Sequence, residues 1–595
     1  MSRIKRSRRP ESPYKRLFAL MKKRKGSLIF AVIVLLIASV ANGLAPLFTG
    51  LATNEMAAIF AQSSFTGYGK RFLTFIIIML CCYALNGIFT YIGTWTIVRV
   101  TENTIYELRK EIEAKLSRLP LNYYDTNTYG DILSRVTNDV DTISSSLQQS
   151  IYQVVNAVFT LVFVLSVMLS ISGILTLVGL IIIPFAMYGS ARIAKKAQKK
   201  INKQMDDTGK LNGIVEEYYG GHNVVSVFGR EETVIDNFEE INNDLYENSR
   251  DGQYLSGTLM PIMQNMTNFG YALVAIFGAI LGIVGGLSIG MIQSFTMYLR
   301  QFSQPLTQVM QLSNIMQQTS AASERIFAFL DEEEEVKDVA DPKFPVKLQG
   351  DVKFDHIKFG YLPHQTLIHD LDIEIGAGEK TAIVGPTGAG KTTLVNLIMR
   401  FYDVREGSIK IDGVDIRKME RRRLREIFGM VLQDTWLYSG TIMENIRYGK
   451  LDATDEEVIE AAKKARADEF IRMLPGGYNF ELHEGASNIA QGQRQLLTIA
   501  RAMLNDPPVM ILDEATSSVD TRTEVMIQEA MNEMMKGRTS FVIAHRLSTI
   551  KDAENILYMQ DGDILEVGNH ETLMAKNGLY AKLYNSQFPD SEESA

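Results

Sequence analysis

Six long apolar stretches fill the first half of this chain, and the second half has none. They run from Ser27 to about Gly50, Phe72 to about Ile97, Ile151 to Ser172, Gly173 to Ala194, Thr258 to about Leu281, and Leu287 past Pro305. A helix of about 20 apolar residues crosses the roughly 30 Å of hydrocarbon in a bilayer. A soluble fold can bury one such helix but hardly six. Averages hide this split: 46% hydrophobic and 22% charged residues would suit an ordinary globular protein. The pattern predicts an α-helical transmembrane domain of six helices.

Loop charge sets the expected orientation. Ser2 to Lys25 is dense in Arg and Lys, which the positive-inside rule keeps in the cytosol. The first apolar run is too long for a cleaved signal peptide and shows no small-residue cleavage pattern. The connections at Asn54–Arg71, Ser170–Gly173 and Gly282–Gly290 then face outside, and all are short. Those at Thr101–Ser150 and Lys195–Gly257 are long, charged and helix-forming, so the helices should extend far into the cytosol. An integral protein of the plasma membrane is expected, with the lipid bilayer as a partner.

Polar residues inside spans need a reason. Arg300, Gln301 and Gln304 stand late in the sixth run, and Met260, Met263, Gln264, Asn265, Met266 and Asn268 in the fifth. Methionine suits adaptable apolar surfaces. One reading is a wide pathway for amphipathic small molecules; the other is helix packing with a few interhelical hydrogen bonds. The only cysteines, Cys81 and Cys82, are adjacent, which excludes a disulfide scaffold and makes a poor zinc site. A net charge of −8 argues against nucleic acid as a partner.

The acidic run Asp331 to Glu335 is expected to be a solvated connector, and from about Asp351 short β-rich runs alternate with charged helices, predicting an α/β domain. The strand Thr381–Val384 leads into Gly385-Pro386-Thr387-Gly388-Ala389-Gly390-Lys391-Thr392-Thr393 and then the helix pattern Leu394–Met399. This spacing, between strand and helix, is that of a phosphate-binding loop. Its glycines let backbone N–H groups curl around phosphate, and the helix N-terminus adds partial positive charge. Lys391 is expected to reach the β/γ-phosphates of ATP, and the Thr392 hydroxyl to bind Mg²⁺. The strand Val509–Leu512 ends at Asp513-Glu514, where the Asp can hold the Mg²⁺ shell and the Glu can polarise a water. The strand Ser540–Ala544 ends at His545. Three phosphate-directed groups at the ends of predicted strands lead to the expectation of a P-loop ATPase.

With these residues in place, the chain resembles the ATP-binding cassette (ABC) exporters over nearly its whole length. The resemblance implies that Tyr361 stacks on adenine and that Gln433 contacts the Mg²⁺ and water region while sensing the membrane domain. Ser518-Val519-Asp520 is similar to the D-loop, and His545 to the switch histidine on the γ-phosphate. Tyr124-Asp125-Thr126 and Gly130 to Asp139 resemble the first intracellular loop. Ala322 to Phe327 resembles the approach to the nucleotide domain. The implied boundaries are a basic N-terminal segment at 1–25, the transmembrane domain at 26–330, a linker at 331–350, the nucleotide-binding domain at 351–587 and a disordered tail at 588–595.

One motif departs. The family signature Leu-Ser-Gly-Gly-Gln aligns with Ile489-Ala490-Gln491-Gly492-Gln493, opening a helix Gln493–Leu504. In the family this segment contacts ATP held by the opposite subunit through its serine hydroxyl. Ala490 has none, and a lost hydrogen bond to a charged group costs about 1.5–3 kcal/mol. Gln491 also replaces a glycine where backbone and phosphate approach. One cassette per chain implies a second ABC half-transporter. A heterodimer with one competent and one degenerate ATP site is the favoured expectation, and a homodimer tolerating Ala490 is the alternative. An ATP-gated channel or regulatory subunit is the rival class, disfavoured because no long regulatory insertion separates the halves. The expected activity is ATP-driven efflux of amphipathic compounds: drug-like molecules first, with lipids and peptides left open.

Overall fold

The computed structural model describes residues 12–62, 68–284, 286–362, 364–432, 435–513, 520–543 and 550–587. The chain divides into two units: Met1–Ser117 with Thr128–Glu332, and Arg118–Asn127 with Glu333–Ala595.

In the first unit a short helix, Pro13–Lys22, precedes six long ones: Lys25–Gln62, Tyr68–Leu116, Val140–Ile171, Gly173–Gly220, Glu231–Ile283 and Ile289–Asp331. Each apolar run is part of a longer helix. Glu231–Ile283 has 53 residues. At about 1.5 Å per residue it is about 80 Å long, far more than a bilayer core needs. Among the described residues, four helices are long and apolar enough to cross a membrane: those within Lys25–Ala61, Tyr68–Leu116, Tyr129–Ile171 and Glu231–Ile283. Gly173–Ile182 is a shorter apolar segment. Ile289–Asp331 is more polar, with Arg300, Gln301 and Gln304 in its first half.

Much of that polarity holds helices together. Pro46 lies inside Lys25–Gln62 and has no N–H, so the carbonyl of Asn42 loses its helical partner. Gln301 Nε2 donates to that carbonyl at 3.3 Å. Ser294 Oγ donates to Pro46 O at 2.7 Å, and Tyr298 OH to Gly43 O at 2.7 Å. One helix thus caps the carbonyl that a proline frees in another and adds two donors to carbonyls beside it, as a water-poor environment favours. The same pair approaches closely at Gly50, where a Cβ would stand 2.3 Å from Gly290 O. The helix starts follow local chemistry. Ser172 Oγ accepts from Leu175 N at 3.3 Å, and Ser288 Oγ accepts from Met291 N at 3.3 Å.

Two stretches singled out in the sequence meet. Arg135–Asp139 forms a π-turn, and the buried Asp139 accepts from Arg325 Nε at 2.8 Å as half of a bidentate pair.

The second unit holds two main sheets. A four-stranded sheet runs in the order Ile368–Ile375, Val352–Phe359, Glu406–Ile411, Val414–Asp415, all antiparallel. A six-stranded sheet runs Asp563–Gly568, Asn555–Gln560, Lys380–Val384, Thr539–Ile543, Val509–Asp513, Phe428–Val431. Its first pairing is antiparallel and the other four are parallel. Its inner strands are buried on both faces, so they read as continuous apolar runs. Ile383, Ile511 and Leu557 join one core, while Ala382, Val384, Met510 and Leu512 join the other. The α/β expectation is met.

The acidic connector is not simply solvated. Glu335 pairs with Arg421 Nε at 3.3 Å and Arg425 Nη2 at 3.3 Å, and Glu334 with Arg118 Nη1 at 3.6 Å. Asp338 pairs with Arg421 Nη1 at 3.0 Å. Arg421 and Arg400 are buried, so their charges need these carboxylates. Composition had suggested a solvated linker; the fold uses it as counter-charge.

Candidate functional site

The parallel strands end on one edge. Asp513 is in register with Ile543, and Ile543 with Ile383, so the phosphate loop and Asp513 leave the same sheet edge on either side of the strand Thr539–Ile543. Such edges are where open α/β sheets place ligands.

The loop from Gly385 to Gly390 is a cradle. Gly385 has φ +151°, and a Cβ there would stand 2.0 Å from Met559 O. Gly388 has open space around it, but its φ of +84° suits only glycine. Gly390, also left-handed, caps the helix Lys391–Ile398 with no side-chain acceptor. The first N–H groups of that helix therefore have no side chain of the cap to bind. Lys391 is buried, and its Nζ donates to Gly385 O at 2.8 Å and Pro386 O at 3.0 Å. Burial holds its amine below the usual lysine range, with Asp513 pulling the opposite way. A buried cation amid aligned backbone donors fits a polyphosphate. Thr392 is exposed on the first turn, and Asp513 is half-buried; both carry oxygens of the kind a divalent cation binds.

Tyr361 stands beside this helix. Its OH donates to Thr393 Oγ1 at 3.0 Å, and its ring meets Phe359 and Tyr402 edge-on, each with centroids 5.0 Å apart. It is 41% exposed, leaving a ring surface open to a base. Tyr402 in turn donates to Asp125, on the short helix Leu121–Thr126 of the same unit. That contact and burial hold the Tyr402 phenol well above the ordinary tyrosine range. Nothing in the sequence tied Tyr402 to the site.

Residues Ile489 to Gln493 open the helix Gln491–Asn505, which starts two residues earlier than the sequence pattern predicts. Ile489 and Gly492 are buried, whereas Ala490 and Gln491 are exposed. Gln493 Oε1 accepts from Ala490 N at 3.1 Å. This is half of a capping box; Ala490 has no hydroxyl to return the bond. Asp520 caps the helix Thr521–Met535, accepting from Thr523 N at 3.0 Å through Oδ1. These backbone hydrogen bonds keep its carboxyl below the usual aspartate range.

The structure thus groups Tyr361, Gly385, Thr387, Gly388, Gly390, Lys391, Thr392, Thr393 and Asp513 around one loop and the strand ends beside it. Gln433, Glu514, Ser518 and His545 lie outside the described residues, as does the tail Phe588–Ala595.

Two family models match the sequence. The ABC transporter transmembrane region covers residues 28–306, and the ABC transporter model covers residues 368–517. A fatty acid ABC transporter ATP-binding/permease protein of Mycobacterium bovis is 46% identical over 482 residues, 81% of this chain and 76% of that protein. An ATP-dependent lipid A-core flippase of Desulfotalea psychrophila is 35% identical over 511 residues, 86% of this chain and 89% of that protein. Among solved structures, a bacterial Atm1-family ABC exporter with ATP bound superimposes with a TM-score of 0.74 at 28% identity. It covers 96% of this chain and 99% of its own.

Proposed function

Because the chain belongs to the ABC exporters, with a transmembrane region and an ATP-binding domain fused in one half-transporter, we propose that it pumps lipid-like or drug-like amphipaths by alternating access, as one subunit of a heterodimer. ATP hydrolysis coupled to transport is the activity of this family. The rest of this reading is ours. All six long helices span the membrane, with the N-terminus and cassette in the cytosol and the domain boundaries at 330 and 351.

One observation carries the heterodimer. A complete phosphate cradle and an exposed signature start without a hydroxyl stand on a chain with one cassette. Two such chains would put Ala490 at both ATP sites. A partner with an ordinary signature would complete the site built on Lys391, and this chain's Ala490 would face a weaker one.

Within the competent site each side chain has a role. Backbone donors from Gly385 to Thr393 and the Lys391 amine bind the phosphates. Tyr361 orients the base. Thr392, Asp513 and Gln433 hold Mg²⁺, which when bound neutralises charge on the phosphate oxygens. Glu514 polarises the attacking water, and His545 positions the terminal phosphate. Ser518 and Asp520 set the turn between cassettes. Tyr402 passes the state of the Tyr361 pocket to Asp125 and the first cytosolic loop. The lipid-related names of two relatives favour lipids among the amphipaths.

The test is the Mg²⁺-ATPase rate of this chain, purified alone in a bilayer mimic, against Glu514→Gln. Folded, ATP-binding protein with little turnover supports the heterodimer. Robust turnover abolished by Glu514→Gln means a working homodimer, and robust turnover untouched by it removes Glu514 as the base.

A further inference from the structure

The polar residues of helix Ile289–Asp331 divide into two groups. Ser294, Tyr298 and Gln301 are spent on backbone carbonyls of helix Lys25–Gln62. Arg300 is not. It is exposed, and among the described residues it makes no hydrogen bond and no ion pair.

Its depth makes that unusual. Arg300 stands 11 residues past Ile289, about 16 Å along the helix, near the middle of a hydrocarbon core of about 30 Å. Take the 20 residues nearest the outer turn in each long helix. Their charged residues are Glu55, Lys70, Arg71, Arg192 and Arg300. Lys70 and Arg71 are in the first turn of their helix, and Arg192 is 19 residues from its own start. Glu55 is seven residues from the helix end, about 10 Å in. Arg300 is thus the cation closest to mid-plane. A charge at that depth is costly unless an anion meets it, and it marks a ligand path by default.

The neighbouring helix brings a second polar group. Glu231–Ile283 packs alongside, with a Cβ at Gly278 standing 3.0 Å from Ile292 and one at Gly270 standing 3.1 Å from Leu299. The two helices run antiparallel, so Tyr271 and Arg300 leave the Gly270–Leu299 contact in opposite directions and lie about 3 Å apart along the helix axes. Tyr271 OH is buried, with no hydrogen-bond partner among the described residues. Gln304, one helical turn after Arg300, is exposed on the same face. Met297 lies one turn before Arg300 and adds apolar surface on its face.

We propose that Arg300 and Tyr271 form a headgroup site that selects amphipathic anions, an oxyanion carried on an apolar chain, as the transported substrate. This rests on the transport reading above and narrows its substrate class. Guanidinium and phenol are both donors, so they suit a carboxylate or a phosphate and reject neutral or cationic heads. Met297 takes the first part of the tail.

The experiment is equilibrium binding in nanodiscs, without ATP, to the full chain as assembled with its dimer partner. The probes are oleate, oleyl phosphate and methyl oleate, which share a tail. Wild type should bind at least one anion about tenfold more tightly than the ester, and the tighter of the two identifies carboxylate or phosphate. Arg300→Gln should collapse that ratio to about one, Arg300→Lys should keep most of it, and Tyr271→Phe should reduce it about threefold. If Arg300→Gln fails to fold, the Lys and Phe variants decide on the same ratios. Equal affinity for anions and ester in wild type overturns the proposal, as does a ratio that survives Arg300→Gln. A Glu55→Gln variant that loses the ratio as fully would assign Arg300 to an ion pair with a second copy, and also overturns it. Because binding is read without ATP, these failures differ from the absence of ATPase activity, which would sink the transport reading instead.

Discussion

Two helix N-termini in the second unit have the same backbone problem and solve it differently. Lys391–Ile398 and Gln491–Asn505 both start at a cap residue, Gly390 and Ala490, that offers no side-chain acceptor. The first is preceded by a left-handed glycine loop and carries a buried lysine, so its donors are arranged to receive an anion. The second is stitched to itself: Gln493 turns back and takes the Ala490 N–H. A bare helix start attracts an anion only weakly, worth about 0.3–1 kcal/mol. Side chains and loop geometry decide which start becomes a strong site. By that measure the first is fully equipped and the second has lost its strongest donor.

Removing the lysine should have the largest effect. Lys391→Ala leaves the cradle's backbone intact but takes away its buried cation. The ATPase rate of the assembled transporter should fall by about a hundredfold or more, on the scale of other preorganised charge-stabilising groups. Radiolabelled phosphate release measures it. A fall of less than threefold would mean the two helix starts are not different in kind.

Repairing the second start should act in the opposite direction and less strongly. Ala490→Ser with Gln491→Gly restores a hydroxyl and removes a bulky exposed side chain. In the chain assayed alone, ATPase activity should rise about tenfold, the value of one hydrogen bond to a charged group. If no rise occurs while ATP binding stays intact, the limit lies elsewhere than in the hydroxyl.

Much of this contrast was legible beforehand, because it resides in local sequence. The glycine spacing, the strand before it and the missing serine are all short-range facts. So were the six apolar runs, down to the start of a helix at Gly173. What sequence did not give was set by residues far apart in the chain. Tyr402 and Asp125 are separated by 277 positions. Arg421 meets Asp338 and Glu335 across more than 80. The acidic connector read as solvated because composition cannot show which arginines a fold will bury beside it. Gln301 stayed open between a pathway and a packing role for a similar reason. Its role depends on Pro46 in another helix, and only the packed structure joins them.

Tyr361 sharpens the comparison at the base-binding side of the first site. Tyr361→Ala removes an aromatic face and the bond to Thr393. KM for ATP should rise about fivefold, since aromatic contacts contribute about 0.5–1.5 kcal/mol beyond area. Tyr361→Phe keeps the ring and loses only the hydroxyl, so it should move KM by less than twofold. Equal effects from both variants would make the Thr393 bond the important part and the ring incidental.

The smallest effect is the most diagnostic of the second start. Gln493→Leu deletes the side chain that holds Ala490 N–H, and should cost about 0.5–1 kcal/mol of local stability, as lost caps do. Hydrogen exchange at Ala490 should speed by a few-fold. Gln493→Glu keeps an acceptor and adds a negative charge at a helix N-terminus, which the helix dipole favours by a few tenths of a kcal/mol. Exchange at Ala490 should therefore slow slightly in that variant. The same charge would face the phosphates of a nucleotide held by the opposite cassette and repel them. ATP affinity at that site should fall even as the helix becomes better capped. The two readouts moving in opposite directions would place this helix start against an anion despite its missing hydroxyl. If both improved together, the segment would serve only as a helix cap, and the second ATP site would have to be built without it.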